Sequence, residues 1–181
     1  METRHDATLD MFCTAIAMKE KKRSLYEEAM KNCPDRVGVE TFRMLLNSEA
    51  EHLARIREVY EDMQKGKPAL DACRLHDFDS AGKMIYLREV AKQHGKISEA
   101  CLDDVAAIET GIDLENASIR FFEEERKRAT DPAEKTLLDR LIEEERGHFI
   151  VLNDLKTYYV DPGSWFLEKS GARLDGAGPS A

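Results

Sequence analysis

Two short stretches of the chain, Glu49-Ala50-Glu51-His52 and Glu145-Arg146-Gly147-His148, place a carboxylate and an imidazole three positions apart. Residues three apart on a helix share a face, so each pair presents both groups to one point. Neither pair stands on a polar face. The first interrupts an apolar stripe of Phe42, Leu45, Ile56, Val59 and Met63, and the second interrupts Leu138, Leu141, Leu152, Leu155 and Tyr159. Burying two ionised carboxylates and two imidazoles without counter-charge is costly, and a metal cation removes the cost. Oxygen and imidazole donors in a helical bundle suit iron, manganese or zinc.

Four periodic segments must carry these groups. Pro34, Gly66 with Pro68, Asp131-Pro132 and Asp161-Pro162-Gly163 divide the chain, predicting helices over about residues 8–32, 36–64, 99–129 and 132–160. Asp35 and Asp131 stand where N-caps are needed, and Glu134 completes a capping-box spacing with Asp131. The short joints predict two antiparallel hairpins. Between them residues 66–98 must return the chain along the bundle, with a crossover helix after Asp79 or Ser80 that ends at Gly95. The expected fold is therefore all-α, a four-helix bundle of two repeated hairpins joined by a long crossover, spanning residues 1–165. An extended, partly disordered tail is expected from Asp161, residues 166–181 lying outside the bundle, with Trp165 and Phe166 as packing anchors.

The hairpins repeat without a gap. At an offset of 96, residues 8–63 fall on 104–159, matching Thr14 with Thr110, Ile16 with Ile112, Asp35 with Asp131 and Leu45 with Leu141, as well as Glu49 with Glu145 and His52 with His148. The third helix adds a carboxylate at the centre of its inward stripe of Ile108, Gly111, Glu115, Ser118 and Phe122. The first helix does not: its stripe reads Phe12, Ala15, Lys19, Lys22, Tyr26 and Ala29, so Lys19 stands opposite Glu115. A local bulge that turned Glu20 inward would disturb the register fixed by Tyr26.

The gap-free repeat, AIAMKEKKRSLY with SEAEH and GIDLENASIRFF with EEERGH, resembles the rubrerythrin branch of the ferritin-like family over residues 8–160. The resemblance implies a ferritin-like bundle holding two irons that react with peroxide or dioxygen. By position, Glu49 and Glu145 would bridge the metals, Glu115 and His148 would hold one iron, and His52 the other. It also implies a homodimer, and an external electron donor, because the two C-x-x-C pairs of a rubredoxin module are absent from the sequence. Lys19 replaces the first-helix carboxylate. Three carboxylates against one ammonium leave two negative charges, enough for one divalent ion, and the expected ion sits with Glu115, His148, Glu145 and Glu49 while Lys19 approaches the other position. The alternative to an iron oxidoreductase is a degenerate site with one metal or none, serving structure or partner binding.

The bulk composition agrees with a soluble, cytoplasmic reading. A net charge of -9 argues against nucleic acid or anionic membrane as partner. Cys13, Cys33, Cys73 and Cys101 have no zinc-site or C-x-x-C spacing, and no apolar run reaches membrane-spanning length. Glu27-Glu28, Glu123 to Glu125 and Glu143-Glu144 are expected on exposed faces, His76 and His94 on the surface of the crossover, and His5 in a disordered end.

Overall fold

The computed structural model describes residues 4–64 and 102–169, all in helices or the short joints between them. In chain order these are α1 (Arg4–Asn32), α2 (Arg36–Gln64), α3 (Leu102–Arg128), α4 (Pro132–Val160) and a short α5 (Pro162–Lys169). The crossover helix expected between Asp79 and Gly95 lies outside the described residues. So do His76 and His94.

The helix boundaries follow from caps and breakers. Asp35 Oδ2 accepts the Gly38 N–H at 3.1 Å at the start of α2, and Asp131 Oδ1 accepts the Glu134 N–H at 3.4 Å at the start of α4. Each satisfies a first-turn donor that the helix itself leaves open. The Glu134 side chain accepts from Thr8 Oγ1 at 3.2 Å, tying the beginning of α4 to α1. Helix α1 starts at Arg4, so the backbone at His5 is helical and the expected disordered end does not begin there.

Helices α1 and α2 form one antiparallel hairpin and α3 and α4 the other, and α1 packs along α3 to join them. The core has two apolar parts, one on each side of the polar centre. Phe12, Ala15, Ile56, Val59, Phe122, Leu138 and Leu141 fill one part. Tyr26, Phe42, Leu45, Ile108, Val151, Leu152 and Leu155 fill the other. Gly111 permits the close approach of the hairpins: a Cβ there would lie 3.1 Å from Leu152 Cδ1 and 3.2 Å from Tyr26 Cε1. Tyr26 is thereby placed beside α3, where its hydroxyl reaches the centre.

The segment after Asp161 is helical from Pro162, not extended as its Gly, Pro and Ser content suggests. Asp161 Oδ1 accepts the Ser164 N–H at 3.0 Å, and Pro162 occupies the first helical position, which needs no N–H. Trp165 is buried against Tyr158, ring centroids 5.2 Å apart at 73°, and this contact gives a short helix the tertiary support it lacks alone. No helix among the described residues is long and apolar enough to cross a membrane.

Candidate metal-type centre

The inward stripes of α1 to α4 meet midway along the bundle and bring Glu49, Glu115, Glu145 and His148 together. All four are fully buried, and one ligand atom from each lies within 4.8 Å of the others. His52 does not join that group. It lies at 6% exposure beside His148, with ring centroids 6.0 Å apart, and its Nδ1 is 3.2 Å from Glu144 Oε2.

The cations of the centre come from α1. Lys19 Nζ donates to Glu49 Oε2 at 2.9 Å and to Glu145 Oε1 at 2.7 Å. Lys22 Nζ lies 2.8 Å from Glu49 Oε1, donates to Glu115 Oε2 at 2.8 Å and also donates to Glu145 Oε2. Both lysines are fully buried. Spacing puts both on the inward stripe of α1, but only the structure shows that Lys22 lies among the carboxylates of the four-residue donor group, with Lys19 on the other oxygen of each of Glu49 and Glu145.

Further contacts hold the donors. Tyr26 donates to Glu115 Oε1 at 2.5 Å. His148 Nδ1 lies 3.1 Å from Glu49 Oε1, and its Nε2 lies 3.0 Å from Ser48 Oγ. Glu20 faces solvent and pairs with Arg57 across the α1–α2 hairpin, so α1 turns regularly through this stretch and Glu20 supplies nothing to the centre.

Glu144 corrects the expectation of an exposed Glu143-Glu144 face: at 3% exposure it is buried against His52. At the offset of 96, Glu144 falls on Ser48, and each residue touches the histidine of the opposite half, Glu144 with His52 and Ser48 with His148. The polar stripe positions of α1 and α3 are unlike across the repeat: Lys19 falls on Glu115 and Lys22 on Ser118. One half supplies the cations and the other supplies an extra carboxylate.

Charge accounts for the protonation states. Burial works against the ammonium of Lys19, but Glu145 and Glu49 outweigh it and hold its pKa above the usual value. The same balance, with Glu115 added, holds Lys22 well above. Burial likewise works against the Glu49 and Glu145 carboxylates, and the two lysines more than reverse it, keeping both well below the carboxylate range. Glu115 and Glu144 are each pushed up to about 7, by burial first and with only partial relief from Lys22 and Lys19 respectively. Burial also opposes the His148 imidazolium, but contacts with Glu115 and Glu49 raise it to about 9, whereas burial and the nearby Lys19 drive His52 down to about 3. Glu49 and Glu145, held ionised, are matched by the two ammoniums, and Glu115, when ionised, is matched by the His148 imidazolium.

Such a bundle, with two antiparallel hairpins and carboxylate and histidine donors converging from facing helices, defines a ferritin-like protein with a metal-type centre. The chain belongs to the rubrerythrin family, whose sequence profile matches residues 10–156. Searches among curated proteins and among solved structures give no match. The donor types are those of metal binding, but two ions do not fit beside the residues present. An ion between Glu49, Glu115 and Glu145 would meet the Lys22 ammonium, and one between Glu49 Oε2 and Glu145 Oε1 would meet that of Lys19.

Proposed function

We propose that this rubrerythrin-family chain is a structural or partner-binding bundle with a lysine-neutralised centre, not a two-iron enzyme. One observation carries the reading: the Lys22 ammonium contacts Glu49, Glu115 and Glu145 at once, in the space a metal would need. A buried ionic cluster of this kind fixes one register of the four helices, since slipping any helix would leave a charge unpaired in the core. The stiffened bundle then offers a surface of defined shape to a partner, with a second copy of the chain as the first candidate, in the cytoplasm.

A second reading has one specific observation in its favour. The compact group of Glu49, Glu115, Glu145 and His148 supports a non-haem iron oxidoreductase that acts on peroxide or dioxygen and draws on an external electron donor, with zinc or manganese as other occupants. One experiment separates the readings. Purified protein is given ferrous iron without oxygen, then peroxide, and both peroxide loss and ferric absorption are followed. The structural reading predicts no loss above that of iron in buffer. Stoichiometric, peroxide-dependent oxidation of protein-bound iron would favour the enzyme.

A further inference from the structure

We propose that the ammonium groups of Lys19 and Lys22 are the resident cations of this centre, each standing in for one metal ion, and that Lys22 alone keeps the four-donor group closed to metal. The inference rests on the structural reading of the centre and deepens it by assigning unequal roles to the two lysines.

The geometry makes them unequal. Lys22 reaches all three carboxylates of the donor group, whereas Lys19 reaches Glu49 and Glu145 only, through the oxygens on their other side. If the Lys22 side chain is cut back, the donors do not lose their supports. Tyr26 still holds Glu115, Ser48 still holds His148, and Lys19 still holds Glu49 and Glu145. The group left behind has three carboxylates against the single ammonium of Lys19 once His148 turns a neutral ring nitrogen to the ion, a deficit that one divalent cation cancels. The imidazole nitrogen among its carboxylate oxygens favours an ion of borderline softness over magnesium or calcium. Removing Lys19 instead leaves Lys22 in the middle of the same donors, so the group stays closed. In the native chain either ammonium is covalently attached, and no ion from solution has to be captured for the core to be neutral.

The test uses the full chain as wild type, Lys22→Ala and Lys19→Ala, each purified without added metal and titrated with Co²⁺. Visible absorption and equilibrium dialysis report binding, and thermal unfolding reports the effect on the fold. The expected result is one Co²⁺ per chain for Lys22→Ala, with a raised melting temperature, no binding by wild type, and at most weak binding by Lys19→Ala, whose vacated position keeps only the Glu49 and Glu145 oxygens. If Lys22→Ala does not fold without an ion, recovery of helical structure with Co²⁺ but not with Mg²⁺ supports the assignment, and no recovery with either overturns it. A folded Lys22→Ala that binds no Co²⁺ overturns it while leaving the structural reading intact. Equal binding by Lys19→Ala overturns the distinction between the two lysines. Wild type that arrives with two tightly held irons overturns the structural reading itself.

Discussion

Lys22→Met keeps most of the side-chain volume and removes the charge, leaving Glu49, Glu115 and Glu145 to face one another with only Lys19 and the His148 imidazolium nearby. Breaking a buried ion pair by deleting one partner costs about 3–5 kcal/mol, because the other partner remains buried without compensation. For a domain of this size each kcal/mol moves the melting temperature by about 2–4 °C, so the fall should be about 6–20 °C. Protonation of Glu115, whose carboxyl already titrates at about 7, would relieve part of the repulsion and favours the lower end of that range. A double-mutant cycle isolates the electrostatic part. Glu115→Gln in the Lys22→Met background should cost at least about 1 kcal/mol less than it does in wild type, since residues of one ionic network are not additive. Thermal and urea unfolding followed by helical circular dichroism measure both quantities. Lys31→Met, which removes an exposed pair with Glu27, serves as the control and should leave the curve unchanged. A Lys22→Met curve that overlays the control, or full additivity in the cycle, would refute the argument that the ammonium neutralises the core.

Three other outcomes follow from separate parts of the structure. Burial raises Glu144 to about 7, so its proton is held more tightly folded than unfolded. Its contribution to stability is full below about pH 4.5 and is lost as pH rises through about 7. Glu144→Gln should therefore gain melting temperature over wild type at pH 8 and not at pH 5, and a difference independent of pH would contradict the burial argument. Gly38→Ala should destabilise by about 1–3 kcal/mol, because the new Cβ would lie 2.2 Å from the Tyr159 hydroxyl oxygen and 2.5 Å from Cys33 Sγ. Tyr159→Phe in the same chain should recover part of that loss, and the two changes adding independently would count against a clash at the hydroxyl. Trp165→Ala should melt α5 selectively, seen as faster amide exchange over Pro162–Lys169 with α1 to α4 protected, since packing on Tyr158 is its main support.

Much of the fold was legible because its punctuation is strong. Pro34 and the Asp131-Pro132 pair end and restart helices by removing donors and supplying caps, and the three-and-four spacing around Glu49 and Glu145 is that of a helix with one buried face. The same spacing placed Lys19 and Lys22 inward, yet periodicity gives the direction of a side chain and not its reach. A lysine stem can carry its ammonium across the core to three carboxylates or out toward a helix end, and only the surroundings decide between them. Glu144 escaped because it stands one residue from Glu145, about 100° around the helix, where the edge of the buried stripe depends on how closely α2 approaches. α5 was misread because composition reports the cost of ordering a Gly- and Ser-containing segment, whereas the Trp165 contact that offsets it is tertiary.

The most direct test of a lysine-neutralised centre is the transition-metal content of the full chain, produced in iron-supplemented medium and purified without chelators or added metal. The account predicts iron, manganese and zinc together far below one ion per chain, with a melting temperature that chelation leaves unchanged. Two tightly held irons per chain, with a melting temperature that falls when they are stripped, would contradict it.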